Sequence, residues 1–169
     1  EGASIGVGAT VENSTSLMTA FARINDLEDR PTLPDAPYEI VVSRDITLAS
    51  TITVNRPLTI RGATDGVSIF GSNSLASGIV LSPTASGSTI SNLEFANFAG
   101  TALTLDNVTD TVVENNTFIN GGTGILAKGT LTNTVARGNV FESLGRGLDL
   151  DHASAFTFGG NTIGEPNEI

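Results

Sequence analysis

The 169-residue chain contains no cysteine, which removes disulfides, thiolate nucleophiles and thiolate metal sites in one step. Tryptophan is missing too, and one tyrosine and eight phenylalanines make up the aromatic complement. Basic side chains are scarce. Seven arginines and a single lysine, Lys128, stand against eighteen acids, for a formal net charge of −10 and a pI near 4.3. A field of that sign repels phosphate backbones and anionic lipid, and no basic cluster offsets it, so nucleic acid is not an expected partner. No apolar run approaches the ~18 residues of a membrane span, so no membrane insertion is expected. The N-terminus lacks the basic and apolar regions of a signal peptide. The expectation is a soluble chain, extracellular or at the cell surface, from which an export signal has been removed.

What fills the chain is small and polar. Ser, Thr and Asn supply 51 residues and Gly another 19, while only 15% of positions are charged. Low charge with many β-branched residues argues for a folded chain, here one continuous domain. From residue 78 a unit recurs in which a small residue precedes an apolar-x-apolar triplet. It reads Gly78-Ile79-Val80-Leu81, Ala102-Leu103-Thr104-Leu105, Gly124-Ile125-Leu126-Ala127 and Gly147-Leu148-Asp149-Leu150, at offsets of 24, 22 and 23. A second marker, Phe95, Phe118, Phe141 and Ile163, keeps offsets of 23, 23 and 22. Asparagine stands two residues before this marker in three copies, as Asn116, Asn139 and Asn161, with Leu93 in the first. Asparagine tolerates the left-handed backbone of a tight bend, and stacked amides would form a ladder about 4.8 Å apart.

A period near 23, short strands and Asn and Gly at the bends predict a parallel β-solenoid. The chain resembles the right-handed parallel β-helix, or pectate-lyase-like, superfamily, carried by repeats such as Asn115-Asn116-Thr117-Phe118 and Asn139-Val140-Phe141 over residues 38–164. The resemblance implies an all-β fold, a right-handed parallel β-helix of about 23 residues per coil, of the non-catalytic Asn-rich type. Earlier coils are read at residues 39–42, 46–48, 52–54, 58–60 and 67–70, with turns at Arg56-Pro57 and Arg61-Gly62. Residues 1–37 are assigned an N-terminal strand and an amphipathic helix over 14–27, with Leu17, Phe21, Ile24 and Leu27 on one face. Ser14 or Thr15 is its expected cap. This helix looks like the N-terminal cap of the superfamily, whereas residues 38–169 hold the coils and end without a comparable cover.

The most chemical stretch is Leu148-Asp149-Leu150-Asp151-His152, which contains the only histidine. With Leu148 and Leu150 inward, Asp149 and Asp151 point outward together, at a separation suited to a two-carboxylate hydrolase or a Ca²⁺ site. The competing reading aligns Asp106, Lys128 and Asp151 as a vertical charge ladder on a solvated face. The resemblance sets a standard for enzymes: polygalacturonases of this superfamily carry Gly-His-Gly and Arg-x-Lys, and this chain has neither. Arg137 and Arg146 are assigned to turns. Catalytic residues are therefore not assigned, with Asp149, Asp151 and His152 as the fallback, and no cofactor is expected beyond Ca²⁺. Sequons at Asn13, Asn107 and Asn115 are expected from composition alone. In the last coil, register with Val112 and Val135 falls on Thr157, which puts Phe156 and Phe158 on the outward phase, so that either a one-residue bulge turns them inward or two rings are exposed. Those rings and Ile163 mark a self-association surface. The functional expectation is a structural or adhesive protein that stacks head to tail on copies of itself and contacts extracellular polysaccharide. The alternative is a polysaccharide lyase or glycoside hydrolase.

Overall fold

A computed structural model describes residues 9–11, 13–25, 38–72 and 74–163. The chain winds through about five turns of about 23 residues each, and every turn lays one short strand on each of three parallel sheets. The valine sheet runs β1 (Ala9–Val11), β2 (Tyr38–Val42), β5 (Leu58–Gly62), β8 (Thr89–Ser91) and β11 (Val112–Glu114). The phenylalanine sheet runs β3 (Ile46–Thr47), β6 (Ser68–Phe70) and β9 (Glu94–Ala96), and the leucine sheet β4 (Ile52–Val54), β7 (Ser77–Leu81) and β10 (Thr101–Asp106). Two long strands, β12 (Thr117–Arg137) and β13 (Val140–Gly159), pass through two corners each and contribute to all three sheets in turn. Finally β14 (Thr162–Ile163) returns to the phenylalanine sheet beside β13.

A coil alone leaves its inward side chains without neighbours, so the core exists only between coils. Phe95, Phe118 and Phe141 show why the repeat keeps an aromatic ring. Successive rings stack with centroids 5.0 Å apart and planes within 8° of each other. The leucine sheet buries Ile79, Leu81, Leu103, Leu105, Ile125 and Ala127 in the same way. Phe98 plugs the corner between these sheets, and Gly71 and Gly78 are its cost. A Cβ on either would fall 2.6 or 2.5 Å from the Phe98 ring.

The asparagine ladder forms, with a division of labour the sequence did not reveal. Asn139 Oδ1 accepts from the Asn116 backbone N–H (3.0 Å) and from Asn116 Nδ2 (3.1 Å), and Asn161 Oδ1 does the same for Asn139 (2.9 and 3.0 Å). Each amide nitrogen also donates to a carbonyl on the valine sheet, of Ile90, Val113 and Ala136 in turn. At the head of the ladder the Leu93 N–H donates to Asn116 Oδ1 (3.1 Å). The left-handed residue is not the ladder asparagine but its predecessor: Asn92, Asn115, Gly138 and Gly160 all have φ between 53° and 66°. One residue bends the chain, and the next satisfies the backbone groups that the bend strands.

Other expectations shift by one residue or one phase. Helix α1 (Ser14–Asn25) is capped by Asn13, whose Oδ1 accepts from the Ser16 N–H (2.8 Å) while Ser16 Oγ accepts from the Asn13 N–H (3.2 Å). Ser14 and Thr15 are already inside the helix. Leu17, Phe21 and Ile24 are buried at the first coil, against β4 and β2. Leu27 lies outside the described residues. Arg61 and Gly62 are no turn but the end of β5, paired with Val41 and Val42. Phe156 and Phe158 are on the inward phase without a bulge between them, since their register partners are the buried Thr134 and Ala136. Val135, like Val112, faces outward, and Val113 fills the core. The Phe158 ring lies 5.5 Å from Phe141 and 6.4 Å from Phe156.

Candidate functional site

The described ion pairs lie on two faces. On the outward face of the leucine sheet, strand register sets Asp106 beside Lys128 and Lys128 beside Asp151. The ion pair closes on one side, with Lys128 Nζ 3.2 Å from Asp106 Oδ2. Asp151 instead holds His152, whose Nδ1 is 2.6 Å from Asp151 Oδ1. Asp149 is engaged by Arg146, Nη1 to Oδ2 at 2.8 Å. Arg146 is in β13 and Arg137 in β12, not in turns: Arg146 pairs in register with Thr123 on the leucine sheet and Arg137 with Glu114 on the valine sheet. On the valine sheet Arg137 Nη2 is 2.8 Å from Glu114 and Arg61 pairs with Glu39. Five of the outward acids thus have a basic partner within one coil or a few residues.

The geometry around the two proposed carboxylates differs from expectation in one respect. Leu148 is buried and Asp149 half-buried, as alternation requires, but Leu150 is 55% exposed, although its register partner Ala127 is fully buried. Nothing described packs over it. Segment 149–152 therefore sits beside a strand edge with no partner among the described residues, rather than inside a water-excluding pocket. Among the described residues no group of three or more His, Cys, Asp or Glu side chains is arranged to hold a metal ion.

Two concave features lie at corners. A cleft of about 370 Å³ follows the asparagine corner, lined by Asp65, Asn92, Glu94, Asn115 and Thr117 among others. Glu94 in it accepts from Ser68 Oγ at 2.7 Å. A second, of about 390 Å³, follows the Phe98 corner between Asn97, Asn120 and the Gly121-Gly122 backbone. Both clefts arise where left-handed residues turn the chain. Their signal in the sequence is the run of Asn and Gly at coil spacing, read there as bends only. Of the sequon residues, Asn13 caps the helix, and Asn107 donates to Asp106 (2.8 Å) and accepts from the Thr130 N–H (3.2 Å). Asn115 is exposed at its corner.

No curated protein and no solved structure matches the chain. A family model described as the right handed beta helix region matches residues 50–165, well over half of the sequence. With three parallel sheets, a coil of about 23 residues and this match, the chain belongs to the right-handed β-helix family.

Proposed function

We propose that this protein is a non-catalytic structural or adhesive β-solenoid working outside the cell, where its long faces contact polysaccharide or further protein. One observation carries the reading: the outward carboxylates of these two faces are held by neighbouring side chains, in the contacts Arg61–Glu39, Lys128–Asp106, Arg137–Glu114, Arg146–Asp149 and His152–Asp151. A general acid or base works from a dry pocket that shifts its proton affinity and leaves it facing substrate. Here the carboxylates are partly or fully solvated and already bonded. A rod whose face carboxylates are held in this way, between rows of Thr, Ser and Val, is suited to being a scaffold.

A glycan-cleaving reading has its own observation, the convergence of Arg146, Asp149, Asp151 and His152 on one exposed stretch. Incubation with acidic and neutral polysaccharides, with and without Ca²⁺, separates the two. The scaffold reading expects no new reducing ends or unsaturated products. Turnover by the parent chain that an Asp149→Ala, Asp151→Ala double variant lacks would overturn it.

A further inference from the structure

The acids of this chain are not all treated alike. On the valine and leucine sheets Glu39, Glu114, Asp106, Asp149 and Asp151 each hold a basic side chain. Asp65 and Glu94 instead line the cleft of about 370 Å³ at the asparagine corner. Among the described residues no basic side chain pairs with either of them, and none lines the cleft. Glu94 is half-buried, and the hydroxyl of the buried Ser68 fixes one of its oxygens, Oε1. A carboxylate positioned in a concavity without a cation beside it is a strong acceptor for a charged or hydroxylated ligand.

The cleft is also long and regular. Its left-handed corner residues, Gly66, Asn92, Asn115 and Gly138, come one from each of four successive coils, so it runs along the solenoid axis for three strand spacings, roughly 14 Å. Glycine stands at both ends, and a Cβ at Gly66 would meet nothing within 4 Å, which leaves room for a chain to run on. Between them the amides of Asn92 and Asn115 and the Thr117 hydroxyl offer donors and acceptors at coil intervals. The ligand that suits such a groove is linear, advances by about one strand spacing per unit, and carries hydroxyls for the amides and positive charge for the carboxylates. A β-linked chain of pyranose rings has that advance. We infer that the asparagine-corner cleft binds a linear amino-sugar polysaccharide, with ammonium groups at Glu94 and Asp65 and hydroxyls at Asn92, Asn115 and Thr117. The inference rests on the extracellular scaffold reading and narrows its partner, because a uronic-acid or sulfated chain would be repelled by the same carboxylates and by the net charge of −10.

Isothermal titration of the full chain with a glucosamine tetramer, at a mildly acidic pH where its amines are charged, tests this. Saturable binding is expected, about tenfold weaker in Glu94→Gln, which keeps an oxygen for Ser68 but loses the charge. Asp110→Asn removes an exposed acid at the corner between the leucine and valine sheets, at a left-handed position that asparagine tolerates, and should leave the affinity unchanged. A galacturonate tetramer should not bind, and a lysine tetrapeptide should bind at least about tenfold more weakly than the sugar. Absence of glucosamine binding overturns the inference. So does equal weakening by Asp110→Asn, or equal affinity for the lysine peptide, since either would mean attraction by overall charge alone. The polysaccharide cleavage assay is read separately: turnover would sink the scaffold reading even if the cleft binds, and absence of both binding and turnover would sink only the cleft.

Discussion

The coils between residues 89 and 138 and the final coil from Val140 onward follow one backbone path with different chemistry. In the inner coils, described left-handed corners are held by Asn92, Asn97, Asn107, Asp110, Asn115, Asn120, Gly129, Asn133 and Gly138. The equivalent corners of the last coil are Ser143, His152, Ala155 and Gly160. An ordinary side chain with φ near +55° costs roughly 1–2 kcal/mol, which asparagine and glycine largely avoid. Inward positions differ as well. Phe118, Val113, Ile125 and Ala136 are fully buried, while Leu150, Phe156 and Phe158 retain exposure. The last coil is therefore shaped by its neighbour more than by its own preferences. Pairing with β12 imposes the path, and residues that would not choose it accept it.

That contrast can be broken most sharply in the aromatic stack. Phe118→Ala removes a fully buried ring from between two others and should cost about 3–5 kcal/mol in urea unfolding, whereas Phe158→Ala, at a half-buried ring, should cost about 1. Equal losses would mean that the last coil is as well packed as the inner ones. Asn139→Ala should follow, at roughly 2–4 kcal/mol, because it strands the buried Asn116 N–H and Nδ2 and the Val113 carbonyl together. Asn161→Ala should cost less, since its site is only partly buried. A smaller effect of opposite sign is expected at the strained corner. Ala155→Gly should stabilise by about 0.5–1 kcal/mol, read as a raised melting temperature, while Asn133→Ala at the inner equivalent should destabilise. Least of all, Lys128→Ala should change stability by under about 1 kcal/mol, with even that difference fading in high salt.

The period was legible because stacking demands the same residue class in every coil, and Phe95, Phe118 and Phe141 obey it without exception. Phase was harder. Val112-Val113 offers two identical side chains, so alternation cannot say which is inward, and the error carried forward to Phe156 and Phe158. The bend was misplaced by one residue for a similar reason. In Asn115-Asn116 both residues suit a corner, and the sequence, which does place Asn116 in the ladder, does not say that the bend itself falls on Asn115. Asn13-Ser14-Thr15-Ser16 likewise offers several caps, and the structure takes the first. At the charged face the sequence yields the register of Asp106, Lys128 and Asp151, but not that Asp151 turns to His152. Side-chain choice among nearby partners is settled by reach, which strand alignment does not encode.

The asparagine ladder also bears on how the chain folds. Its hydrogen bonds join residues 22 to 26 positions apart. Each new coil therefore closes a loop of similar, moderate length onto a surface already formed, at a nearly constant entropic cost per coil. Folding can then advance like a zipper from any inner coil outward, with no single distant pairing to wait for. Opening should run in reverse. Amide hydrogen exchange would place the fastest protons in β13 and the slowest around Asn116 and Phe118, where the ladder and the ring stack have coils on both sides.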